Sequence, residues 1–97
     1  MASVKELKKD IDLLMSLVLN DIFYVLEYNA KVDEEAILKI AGDVIQKHRE
    51  LRLRANHPDG KDNPKLVRKY FSSLISDTLK EADAALERLS AEVKKVA

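Results

Sequence analysis

The chain contains no cysteine, which removes disulfides, thiolate nucleophiles and cysteine–zinc sites from consideration. That is compatible with the cytoplasm, the location expected for it. Tryptophan is also absent, and only two glycines and two prolines occur in 97 residues. Sandwiches and barrels spend such residues at every turn, so this scarcity disfavours an all-β fold. Neither sign of charge is in excess. Seventeen basic and seventeen acidic residues give a formal net charge of zero, so bulk charge points to neither nucleic acid nor membrane.

A long uninterrupted apolar run is missing too. The most apolar stretch, residues 11–28, is broken by Asp12, Asp21 and Glu27 and reads as a buried helix, not a membrane span. The start, Met1-Ala2-Ser3-Val4-Lys5-Glu6, has no apolar h-region or small-residue cleavage site, so no secretory signal is expected.

What is present is 46% apolar and 35% charged residues, the balance of a charge-rich helical domain rather than a disordered chain. The length suits one domain, residues 1–97, with a single core of marginal size.

Three long patterns of helical period fill the chain. Ser3 followed by Glu6 is a capping-box signature that starts a helix at Val4. Its stripe is Val4, Leu7, Ile11, Leu14, Val18, Ile22 and Val25, flanked by Met15, Leu19 and Leu26. Leu13, Leu17, Tyr24 and Tyr28 widen the apolar arc to roughly 240°, far beyond the ~100° that serves a surface helix. This helix is therefore expected to be contacted on more than one side, by two neighbours within the chain or by a second subunit.

Asp33 reads as the N-cap of a second helix, with Glu34 and Glu35 in the first turn where the helix dipole favours negative charge. The second stripe is Ile37, Ile40, Ala41, Val44, Ile45, His48, Leu51 and Ala55. Gly42 inside it costs up to about 1 kcal/mol relative to alanine, which suggests a close helix approach. Asn63-Pro64 reads as N-cap plus N1 proline of a third helix. Its stripe includes Val67, Tyr70, Phe71, Leu74, Ile75, Leu79, Ala82, Ala85, Leu86, Leu89, Val93 and Val96. Ser76-Asp77-Thr78 is its weakest place, where the pattern allows a bend or a split. The connections are short, so consecutive helices run antiparallel. The expected fold is all-α, a three-helix up-down-up bundle over approximately 4–28, 33–55 and 64–95.

Charge is segregated along the chain. Residues 1–46 hold five basic and nine acidic groups, residues 47–69 eight and three, and residues 70–97 four and five. In an antiparallel bundle the end carrying residues 47–69 also receives Lys5, Lys8 and Lys9. The opposite end gathers Glu27, Asp33, Glu34, Glu35, Glu87 and Glu92, so the molecule is expected to be polarised along its length.

Between the second and third helices lies Asn56-His57-Pro58-Asp59-Gly60-Lys61-Asp62-Asn63-Pro64. Turn chemistry accounts for it: Pro58 and Gly60 suit the second and fourth places of a type I turn, and Asp59 or Asp62 can bond local backbone N–H groups. His57-Pro58-Asp59 also resembles the loop of J-domain co-chaperones. There a His-Pro-Asp turn joins a basic helix, here bearing Lys47, Arg49, Arg52 and Arg54, to an antiparallel apolar one, here bearing Phe71. Asp21-Ile22-Phe23-Tyr24-Val25-Leu26 is loosely similar to a J-domain opening. That resemblance implies contact with an Hsp70 partner through His57, Pro58 and Asp59. The second helix is about two turns longer than in that family, and Asn56 stands where an aromatic is usual. The whole chain also resembles small all-helical bacterial proteins with a similar turn, a likeness that implies a fold and no particular activity.

Chemistry-bearing constellations are few. Asp21 sits within the apolar arc, where a paired or interface carboxylate is expected rather than a catalytic one. His48 reads as a core or rim histidine. His57 has no second histidine at metal spacing, so no metal site is expected. No nucleophile–base–orienter set can be assembled, so no catalytic residue, no cofactor and no enzyme activity are expected. A nucleic-acid contact would use Lys47, Arg49, Arg52, Arg54, Lys61, Lys65, Arg68 and Lys69. On the second helix these wrap around the axis, which disfavours a phosphate-tracking stripe. The expectation is a protein–protein interaction or oligomerisation module, a homodimer through the apolar face of helix 1. A further partner, acidic in character, would meet His57, Pro58, Asp59 and the surrounding basic residues. Membrane binding is not expected, because helix 1 has a mixed, partly acidic polar face.

Overall fold

The computed structural model describes residues 4–56 and 63–97. Three helices make it up: α1, Val4–Tyr28, α2, Glu34–Asn56, and α3, Pro64–Lys95, with no strand among the described residues. Each helix packs on both others. Ion pairs across the helices fix their directions: Asp12 of α1 meets Arg52 of α2, Arg54 of α2 meets Asp77 of α3, and Asp43 meets Arg88. The chain is thus the expected up-down-up bundle. A 32-residue helix at 1.5 Å per residue is about 48 Å long, so α3 by itself accounts for most of the 52 Å long axis.

The caps act where the sequence places them. Asp33 Oδ1 accepts from the backbone N–H groups of Glu35 (3.1 Å) and Ala36 (3.3 Å). Asn63, extended at φ −123° and ψ 108°, accepts through Oδ1 from Lys65 (3.0 Å) and Leu66 (3.4 Å), and Pro64 follows at N1. These bonds satisfy donors that the first helical turn leaves orphaned. Between α1 and α2, the Asn29 N–H donates to Val25 O while its side chain accepts from the Lys31 N–H, and Val32 is buried against the core. Ser3, the expected cap of α1, lies outside the described residues.

The core is built unevenly. α1 contributes the bulk with Leu7, Ile11, Met15, Val18 and Ile22, while α2 and α3 meet it with Ala41, Ala55, Ala82 and Ala85 among larger residues. Helix surfaces lined with alanine approach closely, and the wide α1 stripe fills the space opposite.

Four expectations need correction. α3 is continuous through Ser76-Asp77-Thr78 and is not split. Thr78 is fully buried with its hydroxyl donating to Leu74 O at 2.8 Å, Asp77 is held by Arg54, and Ser76 is exposed, so the helix carries the polar triplet without a break. Gly42 marks no close approach: a Cβ built there meets nothing within 4 Å, and the residue is exposed. Ile45 and Leu79, both assigned to apolar stripes, are about half exposed because each sits at its stripe's edge, beyond the reach of the neighbouring helix. Asp21, expected as a paired or interface carboxylate, is exposed at the edge of the apolar arc.

Candidate interaction surface

α1 carries three faces, set by the ~100° step between residues. Leu7, Ile11, Met15, Val18 and Ile22 point into the core. On one flank, Asp12 reaches α2, where its Oδ1 lies 2.6 Å from His48 Nε2 and both of its oxygens accept from Arg52 Nη1 at 3.1 and 3.3 Å. His48 is therefore a rim histidine with a carboxylate partner. On the other flank, roughly 130° from the core direction, stand Leu13, Leu17, Tyr24 and Tyr28.

Those four side chains are 60%, 53%, 64% and 68% exposed. They fall within about 60° of one another around the axis. With Asn20 they follow the 4-3-4 spacing of a helix–helix seam, Leu13, Leu17, Asn20, Tyr24, and Tyr28 continues the line one turn on. The Tyr24 and Tyr28 rings lie 4.7 Å apart between centroids at 41°, forming one aromatic ledge. Scattered exposed leucines are ordinary on a protein surface, and Leu38, Leu53 and Leu66 are of that kind. An aligned stripe four turns long is not, and contiguous apolar patches mark contact surfaces.

The basic residues are placed differently. Arg52 turns toward α1, and Arg54 toward α3. Lys47 lies 3.6 Å from Glu50 on its own helix, and Arg49 is exposed. Asp77 Oδ2 accepts from Arg54 Nη2 at 2.9 Å. That bond raises the Arg54 pKa above its ordinary value; partial burial opposes the shift and Tyr70 adds to it. Lys65, Arg68 and Lys69 are exposed on the first turns of α3, which lack any buried residue before Leu74. Because Arg54, two residues from the end of α2, already meets Asp77, those first turns extend past the end of α2. The fold thus divides the basic candidates between opposite sides of α2 and a projecting segment of α3, and makes no single stripe of them. His57, Pro58, Asp59 and Lys61 lie outside the described residues.

Two features escaped the sequence reading. The Asp12–His48–Arg52 cluster joins residues 36 and 40 positions apart, and the Asp43–Arg88 pair (2.9 Å) spans 45. Only inter-helix register, which no local pattern encodes, brings them together. Among the described residues no group of three or more His, Asp or Glu side chains is arranged to hold a metal ion, and no helix is long and apolar enough to cross a membrane. No family model, curated protein or solved structure matches the chain.

Proposed function

We propose that the protein is a non-enzymatic helical interaction module that self-associates through the outer face of α1. One observation carries this reading: Leu13, Leu17, Tyr24 and Tyr28, all more than half exposed, share one line on the helix. Covering four such side chains removes apolar area worth about 25 cal/mol per Å² from water, the dominant favourable contribution in most protein association. Tyrosine suits such a role, since its ring supplies contact area while its hydroxyl stays wet at the rim.

The basic end supports a second contact less well. Arg52 and Arg54 are engaged by Asp12 and Asp77, which lowers the charge they present to an anionic partner. Sedimentation velocity over a concentration series tests the proposal. A sedimentation coefficient that rises with concentration toward that of a dimer is expected, and a concentration-independent monomer contradicts it.

A further inference from the structure

We infer that the two copies pair antiparallel along α1, about a two-fold axis between Asn20 and Asp21. This rests on the self-association proposed above and adds its orientation and register.

The stripe is symmetric about its own midpoint. When two α1 helices run in opposite directions with Asn20 level with Asp21 of the second copy, Leu17 faces Tyr24 and Leu13 faces Tyr28. Each two-fold-related layer then contains one leucine and one tyrosine, so the layers have equal thickness and the helices stay at a constant separation. The parallel, in-register alternative stacks leucine on leucine at one end and tyrosine on tyrosine at the other. Layers of unequal bulk splay the helices, which loses contact along the seam. A two-fold axis also makes the interface isologous, the commonest closed arrangement for a homo-oligomer.

Charge selects the same orientation. The fold places Lys5, Lys8 and Lys9 of α1 at the end that also carries Lys65, Arg68 and Lys69. Asp33, Glu34 and Glu35, at the start of α2, lie at the other end. In the antiparallel register, residues whose numbers sum to 41 are level, so Lys5, Lys8 and Lys9 lie beyond Tyr28, the end of α1 in the second copy, and oppose no like charge there. A parallel pair would set lysine against lysine and carboxylate against carboxylate at the two ends. Opposed like charges cost binding free energy and opposed unlike charges fix register. The centre is polar and exposed: Asn20 of each copy is level with Asp21 of the other, which specifies alignment, while the two Asp21 carboxylates, one residue apart along the axis, oppose each other at a cost in affinity.

The natural absence of cysteine makes orientation directly measurable, since one introduced thiol is the only one in the chain. A nitroxide on Lys9→Cys, an exposed site outside the stripe, reports the distance to its copy by pulsed electron spin resonance. The antiparallel register separates the two sites by about 35 Å along the axis at 1.5 Å per residue. A parallel pair brings them within about 20 Å, given an interaxial distance of 8–10 Å. A single distance near 35 Å, lost in the Lys9→Cys/Leu17→Glu double variant, supports the inference. A short distance in a sample of dimeric mass overturns the orientation while leaving self-association standing, and any other single distance overturns the register. Absence of dipolar coupling together with a monomeric mass overturns both.

Discussion

Tyr24 and Tyr28 stand one helical turn apart with ring centroids separated by 4.7 Å, and neither ring is covered by the rest of the chain. A pair of aromatic side chains at i and i+4 restrains each other's rotamers. The ledge they form is therefore preordered before any partner arrives, which reduces the entropy that binding must offset. Truncating Tyr24 to alanine is expected to weaken self-association by roughly 1–2 kcal/mol, about five- to thirty-fold in the dissociation constant. Sedimentation equilibrium measures the change. The thermal midpoint of the monomer should hardly move, because Tyr24 contributes little to the core.

The interior of α1 behaves oppositely. Ile11 is fully buried at the centre of the widest core stripe, so Ile11→Ala deletes apolar volume that neighbours on α2 and α3 cannot refill. A loss of about 2–5 kcal/mol is expected, enough to leave a domain of this size largely unfolded. Urea titration followed by circular dichroism tests it. A loss under about 1 kcal/mol would mean that the core around Ile11 is looser than its burial indicates.

Gly42 provides the reverse experiment. It lies within α2, exposed, with open space where a Cβ would stand. Gly42→Ala removes backbone freedom from the unfolded chain without meeting any atom in the folded one. A gain of roughly 0.5–1 kcal/mol is expected, seen as a higher denaturation midpoint at unchanged slope. A destabilised variant would show that this face of α2 is covered in solution.

Much of the architecture was legible in local sequence because it depends on local chemistry. Asp33, Asn63 and Pro64 act within three residues of themselves, so their capping roles follow from identity and position. The stripes of α1 and α3 likewise reflect the helical period. Features that depend on which neighbour covers which flank were not legible. Ile45 lies one residue beyond buried Val44, and its exposure is decided by where α1 lies relative to α2. Gly42 looked like a packing glycine because it lies inside an apolar pattern, yet it faces solvent. The candidate surface falls between these cases. Leu13, Leu17, Tyr24 and Tyr28 were recognised as an excess over what one bundle face needs, but which of them the chain itself would cover was a tertiary question.

The Arg54–Asp77 pair links α2 to α3 where α3 begins to project, and its side chains are 40% and 37% exposed. Pairs this open contribute at most about 1 kcal/mol, so a double-mutant cycle on Arg54→Ala and Asp77→Ala should return a coupling of about 0.3–1 kcal/mol. The raised Arg54 pKa carries a definite sign. A cation whose pKa is higher when folded stabilises the fold below its unfolded pKa and loses that contribution only as pH rises through the folded value. Both values lie far above neutrality. The coupling should accordingly be the same at about pH 6 and about pH 9. A coupling that vanishes at the higher pH would contradict the assignment.

Light scattering on the unmodified chain and on Leu17→Glu, both at about 100 µM, tests the central claim most directly. Leu17 is exposed at the middle of the stripe, so the substitution leaves the bundle intact and places a charge in the proposed seam. The unmodified chain is expected at twice its 11.0 kDa mass and Leu17→Glu at the single-chain mass with undiminished helicity. A mass of 11.0 kDa for both, or a dimer that Leu17→Glu leaves untouched, would contradict self-association through this face of α1.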